Sequence, residues 1–375
     1  MSMINPTAGI KFKVLLVLCL IVGISSALLY RLVMPGALFL SRYMEKGEHS
    51  GEPPAKIDEK SFVTGNREIP MRVYSSRVDS EKTLLIIHGV HWKGFAEPRL
   101  IHFAENLARL GYTVVTPDIE DLRNYDLKTR AVDDIERSAN WVLNESGFVK
   151  EGKQIGLLGI SFGGGLCLSA ANRAGLADRV AFVFSFGGHG DMNRTLDYLV
   201  TGRMPGGEEL RAHIYGQAVV VRHFAALFVP AEQVEDFRKV VFEYLRGEKK
   251  AVRKSLGSLG SESRAIVELL LERDDEALGA VLVSKRREFT IEKAMSPVLE
   301  NPPDCPLFLL HGAVDNVIPS SETRLVHRWA SGGTESTALV SGLIKHVDLD
   351  ADESDPPLGE YWKMIRFWTE MLRSY

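Results

Sequence analysis

The stretch GLLGISFGGG, residues 156–165, decides the fold of this protein. A run of aliphatic residues ends there at Ser161, which has Gly159 two residues before it and Gly163 two residues after it. This Gly-x-Ser-x-Gly pattern is typical of a very sharp strand-to-helix turn, where the serine backbone is strained and a Cβ two positions away would collide with the neighbouring chain. Because 33 glycines are spread over 375 residues, the pattern has to be judged from its surroundings.

Strand-like and helix-like segments alternate around this turn. Short aliphatic and β-branched runs, typical of buried parallel strands, lie at residues 83–89, 112–118, 155–160, 180–188 and 306–312, with a weaker one at 334–342. Residues 61–76 resemble an antiparallel hairpin, and residues 358–372 close the chain as a helix. This alternation predicts an α/β fold, in which helices cover both faces of a mostly parallel sheet.

The interval between the strands at 180–188 and 306–312 breaks this alternation. It contains several helix-like pieces, among them residues 263–282, and no convincing central strand. A compact domain does not carry a loop of that length without structure of its own. We therefore predict a helical cap at residues 189–305, inserted into an α/β core made of residues 61–188 and 306–375.

The N-terminal region differs in composition from the rest of the chain. Lys11 and Lys13 precede residues 14–30, which carry no charge and are rich in Leu, Val and Ile. Apolar sequence resumes after Arg31. A run of this length is at the short end of the range for a membrane-spanning helix. The sequence therefore predicts a transmembrane helix here.

This helix would make the protein a single-pass membrane protein. We predict that residues 1–43 anchor the chain and that residues 44–60 form a polar linker. The lysines before the apolar run favour a folded domain outside the cytoplasm. A signal peptide cleaved after Ala27 is one alternative, because Ser25 and Ala27 are small enough for a peptidase. A buried helix of a soluble domain is the other, which the flanking lysines and the lack of an amphipathic pattern disfavour.

The overall composition excludes several classes of protein. The formal net charge is −4, and there is no concentrated basic face of the kind that nucleic-acid binding requires. Cys19, Cys167 and Cys305 are far apart and offer neither metal-ligand spacing nor a disulfide framework. No Gly-x-Gly-x-x-Gly opens the first strand-to-helix turn. We therefore expect no nucleic-acid partner, no metal and no organic cofactor.

Three polar residues follow strand-like segments in the chain order Ser, Asp, His. Ser161 ends one strand, Asp315 lies just past the tip of another, and His346 lies in a loop before the closing helix. The carboxyl ends of parallel strands share one edge of the sheet, where ligands bind. A serine hydroxyl needs a general base, itself oriented by an acid, to become a nucleophile. The Phe162 N–H, at the start of a helix, is placed where developing negative charge is favoured.

These residues resemble the α/β-hydrolase family of serine hydrolases. The resemblance is carried by GISFGG (159–164), HGAVDNVIP (311–319), KHVDL (345–349) and IIHGV (86–90), the last similar to the family's His-Gly stretch after an early strand. It implies that Ser161 is the nucleophile, His346 the general base and Asp315 the acid that orients this base.

The resemblance also implies an oxyanion hole and leaves one rival for the acid. The N–H groups of Phe162 and Val90 would form the hole, and His88 would hold the loop that carries Val90. Asp191 is the rival to Asp315, because a few members of the family place the acid after the earlier strand.

The predicted function is hydrolysis of an ester, or less readily an amide, through an acyl-serine intermediate. The substrate would be a small-molecule or lipid-like acyl compound, and the cap would set which substrates are accepted. Two alternatives stay open: a membrane-anchored serine peptidase of the same fold, and a non-catalytic binding protein that has kept the fold. A scaffold has no need for a complete Ser, Asp and His set, which disfavours the second alternative.

Overall fold

An eight-stranded sheet runs through the part of the chain that the computed structural model describes, namely residues 30–31, 33–43, 56–75, 80–204, 207, 209–344 and 357–375. Its strands are β1 (Lys56–Thr64), β2 (Arg67–Ser75), β3 (Thr83–Ile87), β4 (Thr113–Pro117), β5 (Ile155–Ile160), β6 (Val180–Phe186), β7 (Leu307–Gly312) and β8 (Ser336–Ser341). The order across the sheet is β1-β2-β4-β3-β5-β6-β7-β8. Strand β2 is antiparallel to β1 and β4, and the other neighbouring pairs are parallel. The predicted hairpin and the predicted mostly parallel sheet are both confirmed.

The central strands are apolar because helices cover both of their faces. All residues of β3 and β7 are buried, as are the first five of β5. Such strands have no solvent side, so their sequences lack the alternation of a half-exposed strand. The edge strand β1 is mostly exposed and charged, which discourages pairing with another chain. It begins at Lys56, inside the segment 44–60 that the sequence predicts as a linker.

The α-helices of the described residues either pack on a face of this sheet or lie in the interval between β6 and β7. They are α1 (33–43), α2 (Pro98–Arg109), α3 (Glu120–Arg123), α4 (Arg130–Asn144), α5 (Phe162–Ala171), α6 (Met192–Thr201), α7 (Ile214–His223), α8 (Val234–Leu245), α9 (Lys249–Ser255), α10 (Ser261–Glu272), α11 (Asp275–Lys285), α12 (Ser321–Ala330) and α13 (Leu358–Arg373). Helices α1, α2 and α13 share one buried apolar cluster. Helices α4, α5 and α12 share another, on the opposite face. The sheet is therefore covered on both sides, as predicted.

Helices α6 to α11 lie between β6 and β7, in the interval where the sequence predicts a helical cap. Their buried apolar residues join the cluster of α4 and α5. The helix-like piece at 263–282 is two helices, because Arg273 takes a left-handed conformation with φ of 60°. Asp274 then caps α11 by accepting a hydrogen bond from the Ala277 N–H at 2.9 Å.

The N-terminal helix α1 packs on the folded domain. Phe39 is fully buried, with its ring centroid 4.2 Å from that of Trp368 and 5.8 Å from that of Phe103. The Gly36 N–H donates to Thr369 Oγ1 at 3.0 Å. Burial of one such aromatic side chain stabilises a fold by about 2 kcal/mol. Helix α1 is thus an integral part of the domain.

The prediction of a single-pass membrane protein with its domain outside the cytoplasm is contradicted. Among the residues that the structure describes, no helix is long and apolar enough to cross a bilayer. Residues 14–29, the apolar part of the predicted anchor at 1–43, lie outside the described residues. In α1, the apolar side chains that hydropathy assigns to lipid are covered by α2 and α13 instead.

Candidate active site

Ser161 lies on a strained turn between β5 and α5. Its φ of 55° and ψ of −130° fall outside the regions that residues with a Cβ normally occupy, at a cost of about 1–3 kcal/mol. The Ser161 N–H donates to the Phe186 carbonyl at 2.7 Å, which helps to hold the turn. A Cβ on Gly159 would lie 2.2 Å from the Gly163 carbonyl oxygen, and one on Gly163 would lie 2.6 Å from that of His88. The predicted need for both glycines is confirmed.

A cavity of about 480 Å³ opens around Ser161 at the carboxyl edge of the sheet. Ser161, Phe162, Val90 and Asp315 all line it. They come from three separate stretches of chain that the parallel strands bring to the same edge. Ser161 is 9% exposed, so its side chain is reached through this cavity. His346, the predicted general base, lies outside the described residues, and its role stays a prediction.

Asp315 is buried in the loop after β7 and is held by main-chain donors. Its Oδ1 accepts hydrogen bonds from the Val317 N–H at 2.9 Å and the Ile318 N–H at 3.0 Å. Its Oδ2 lies 3.3 Å from His311 Nε2. Two N–H donors on one oxygen stabilise the ionised carboxylate. The loop therefore presents an oriented acid beside the cavity.

His311 is a supporting residue that the sequence analysis missed. It is fully buried at the end of β7. Its Nε2–H donates to the Ile318 carbonyl at 2.8 Å, and its Nδ1 then accepts from Thr323 Oγ1 at 2.7 Å. Through these two hydrogen bonds, the imidazole connects the loop that carries Asp315 to α12. The available signal was a His-Gly pair at the end of a strand, with its histidine four residues before the predicted acid.

His88 holds the loop that carries Val90, as the family resemblance implies. Its Nδ1–H donates to the Gly89 carbonyl at 2.7 Å, and its Nε2 accepts from the Ile119 N–H at 3.0 Å. Burial lowers the pKa of His88 to about 4, so the ring is a neutral donor and acceptor. The Gly89 carbonyl and the Val90 N–H belong to one planar peptide and point in opposite directions. By fixing the first, His88 sets the direction of the second.

The Phe162 N–H is the second main-chain group that the sequence predicts for the oxyanion hole. Phe162 is the first residue of α5, and the first N–H groups of a helix have no acceptor within the helix. Phe162 and Val90 both line the cavity that contains Ser161. This arrangement can stabilise negative charge on an oxygen bound there.

Asp191, the rival acid, has a different role. It is the N-cap of α6, where its Oδ1 accepts from the Asn193 N–H at 2.9 Å and from Ser296 Oγ at 3.3 Å. It is absent from the described residues that line the cavity. Its carboxylate is used to begin a helix, so the geometry favours Asp315 as the acid.

Apolar and polar side chains both line the cavity. The apolar ones, named here its apolar side, are those of Tyr43, Leu100, Phe103, Ile160, Phe186 and Ile344. The polar ones, named here its polar side, are those of His91, Glu97, Arg99, His213 and Tyr215. Helix α1 supplies one residue of the apolar side, and the start of α7 supplies two of the polar side, the N-cap His213 and Tyr215 in the first turn. These contributions come from parts of the chain that no motif connects with Ser161.

Acidification is expected to destabilise the protein between about pH 6.5 and about pH 4. Burial lowers the pKa values of His88, His189 and His223 from 6.5 to about 4. In this interval the unfolded chain binds more protons than the folded one, so the free energy of unfolding falls as the pH falls. Urea unfolding across the interval measures this. His223→Asn should flatten the dependence and His327→Asn, at an exposed position, should not; a midpoint that rises on acidification would contradict the expectation.

Comparison with known proteins gives matches among solved structures alone. No family model matches the sequence, and no curated protein matches it. The esterase of the archaeon Pyrobaculum calidifontis is 16% identical over 90% of this chain and 87% of its own, with a TM-score of 0.48. The uncomplexed acylaminoacyl peptidase of Pyrococcus horikoshii is 14% identical over 86% of this chain and 41% of its own, also with a TM-score of 0.48.

A third matching structure also has a low sequence identity to this chain. It is a putative dipeptidyl aminopeptidase IV of Bacteroides ovatus, 12% identical over 87% of this chain and 37% of its own, with a TM-score of 0.49. This chain spans 37% to 41% of the length of the acylaminoacyl peptidase chains that it matches. The predicted α/β fold is confirmed by the strand order of the chain itself and by the strained turn at Ser161, whereas the transmembrane helix predicted before it is not supported.

Proposed function

We infer that this chain, which has the α/β-hydrolase fold, is a serine hydrolase that cleaves a carboxylic ester through an acyl-serine intermediate. One observation carries the proposal: Ser161 lies on a strained turn in a cavity that also contains a buried, oriented Asp315 and two main-chain donors. A serine that served only to pack the turn would need neither a nearby carboxylate nor donors beside it. Strain of this kind is concentrated at functional sites.

In the proposed mechanism, Ser161 Oγ attacks the ester carbonyl carbon while His346 takes the hydroxyl proton. The carbonyl oxygen becomes negative and is stabilised by the N–H groups of Phe162 and Val90. The C–O bond to the alcohol then breaks, and His346 passes its proton to the leaving oxygen. A water molecule, deprotonated by His346, then attacks the acyl carbon. The bond from this carbon to Ser161 Oγ breaks, His346 returns the proton to Oγ, and the acid is released. Asp315 keeps the imidazole in the tautomer that each step requires.

The walls of the cavity indicate what kind of ester would bind. A cavity of about 480 Å³ is in the range of small-molecule sites, about 300–1,000 Å³. The apolar side would receive an acyl chain or an aromatic acyl group, and the polar side the alcohol. We propose that the insertion at residues 189–305 acts as a cap over this site, because His213 and Tyr215 from this interval line the polar side.

A serine peptidase activity of the same site is the second candidate. The Glu97 carboxylate on the polar side favours it, because a carboxylate can pair with the amino group of an aminoacyl substrate. This carboxylate already accepts from the Leu100 N–H at 2.9 Å and from Arg99 Nε at 2.8 Å. Because these two hydrogen bonds already occupy the Glu97 carboxylate, it is less able to bind an amine. We therefore prefer ester hydrolysis to peptide hydrolysis.

Labelling with a fluorophosphonate tests the proposal directly. The reagent phosphonylates a serine only when that serine is activated, so we expect one labelled peptide, containing Ser161, in the wild-type protein. The labelled enzyme should be inactive toward a panel of p-nitrophenyl esters, and aminoacyl amides in the same panel decide between esterase and peptidase. Absence of labelling, together with no hydrolysis of any panel member, would show that the fold serves binding instead.

Tyr43 is expected to limit the length of the acyl chain. Its ring lines the apolar side and stacks on Phe39, with centroids 5.8 Å apart. Tyr43→Ala would lengthen the apolar side and should raise the ratio of kcat/KM for decanoyl over butanoyl esters by roughly tenfold. Tyr30→Ala, at a tyrosine that is 63% exposed and is absent from the described residues that line the cavity, is the control and should leave the ratio unchanged. Equal effects of the two substitutions would remove Tyr43 from the pocket wall.

A further inference from the structure

Two tyrosines from outside the serine motif hold the loop that carries Val90. The Tyr215 hydroxyl, in the first turn of α7, donates to the Val90 carbonyl at 2.5 Å. The Tyr125 hydroxyl accepts from the Trp92 N–H at 3.2 Å. The rings of the two tyrosines meet edge to face with centroids 6.1 Å apart. The Tyr215 hydrogen bond therefore joins the helical insertion to this loop, and Tyr125 packs beside it.

His88 and Tyr215 hold the two peptides that meet at Val90. The peptide before Val90 is held by His88, through the Gly89 carbonyl at 2.7 Å. The peptide after Val90 is held by Tyr215, through the Val90 carbonyl. The Val90 N–H turns together with the Gly89 carbonyl, because the two belong to one planar peptide. His88 therefore holds the peptide that carries this N–H, and Tyr215 holds the next peptide, which restricts the backbone angles of Val90 through which the first could turn.

Tyr125, beside the loop that carries Val90, has a strained backbone conformation. It is fully buried and has a φ of 57°, a left-handed conformation that aromatic residues rarely adopt. Its ring also meets Phe242 of α8 edge to face, with centroids 5.8 Å apart. Such strain persists where surrounding contacts over-determine it, and it is concentrated at functional sites. Here the contacts come from α7 and α8, both in the insertion.

We propose that Tyr215, supported by Tyr125, is a positioning residue that keeps the Val90 N–H directed at the oxyanion, so that the insertion completes the catalytic site. This inference rests on the proposed function. It assigns the insertion a part in the chemical step in addition to its place over the pocket. Burial raises the pKa of Tyr215 well above its usual value, so its hydroxyl stays a donor at alkaline pH.

The test is Tyr215→Phe, which removes one hydroxyl and keeps the ring. Tyr112→Phe is the matched control, because Tyr112 is a buried tyrosine whose hydroxyl also donates to a carbonyl, that of Leu372 at 2.9 Å. Tyr112 directly precedes β4 and so lies at the opposite edge of the sheet from Ser161. Both variants lose the same kind of hydrogen bond, and only one loses it beside the oxyanion loop.

For Tyr215→Phe we expect kcat for a p-nitrophenyl ester to fall by about tenfold, with KM within about twofold of wild type. Loss of an entire oxyanion donor costs about 10²- to 10³-fold, and a misdirected donor should cost less. Binding of a trifluoromethyl ketone, which forms the tetrahedral oxyanion with Ser161, should weaken by a similar factor. Tyr112→Phe should match wild type in both measurements, and the thermal midpoints of the two variants should be similar.

The outcomes separate this inference from the proposed function. If wild-type Ser161 is labelled by the fluorophosphonate but Tyr215→Phe keeps the wild-type kcat and ketone affinity, the positioning role is wrong and the hydrolase proposal stands. If kcat falls equally in Tyr215→Phe and Tyr112→Phe, the effect is one of stability and the inference is also wrong. If wild-type Ser161 is not labelled, the proposed function fails and the inference fails with it.

Discussion

Replacement of Ser161 by alanine is expected to lower turnover of a p-nitrophenyl ester by roughly 10⁴- to 10⁶-fold. The substitution removes the attacking oxygen and keeps the Cβ, so the turn at φ 55° carries the same strain before and after. Binding and the main-chain donors would account for the residual rate. Single-turnover and steady-state assays measure the loss, and circular dichroism with the thermal midpoint checks that the fold is intact.

Ser169→Ala is the matched control for this substitution. Ser169 is a second buried serine, in α5, and it is absent from the described residues that line the cavity. It should keep the wild-type kcat and remain open to fluorophosphonate labelling at Ser161. A Ser161→Ala variant with activity comparable to that of the Ser169→Ala control would overturn the hydrolase proposal.

Replacement of Asp315 by asparagine is expected to lower kcat by about 10⁴-fold, the second-largest effect. Asparagine has the same shape, and its amide oxygen can still accept from the Val317 and Ile318 N–H groups. It carries no negative charge, so it can neither hold the catalytic imidazole in the required tautomer nor stabilise the imidazolium. Initial rates with saturating ester measure kcat, and urea unfolding shows whether stability has changed.

Asp191→Asn is the matched variant that decides between the two candidate acids. Asparagine caps a helix about as well as aspartate, so stability and kcat should both stay close to wild type. Asp191→Ala should lower the free energy of unfolding by about 1 kcal/mol through loss of the α6 cap, again without loss of kcat. A large loss of kcat in Asp191→Asn, with Asp315→Asn active, would exchange the roles of the two residues.

The fold could be predicted from the sequence because its signals are local. Buried parallel strands have to be apolar throughout, and this places β3, β5 and β7. The turn at Ser161 requires glycines on both sides for steric reasons: a Cβ on Gly159 would meet the turn itself, and one on Gly163 would meet the end of β3 at His88. Asp315 could be proposed because chain order and the shared edge of a parallel sheet bring the ends of separate strands together.

Other features depend on contacts between distant parts of the chain, and the tertiary structure alone decides them. Asp191 and Asp315 both follow strands, and they differ in whether a helix start or the cavity lies beside them. The apolar residues of α1 have the hydropathy of a membrane segment. Burial against Trp368 removes them from water as lipid would, so hydropathy alone does not distinguish the two environments. Tyr215 has no sequence signal, because its role comes from one hydroxyl meeting the Val90 carbonyl 125 residues away. A hydrogen bond of this kind depends on positions in space, which only the packing of the insertion against the core determines.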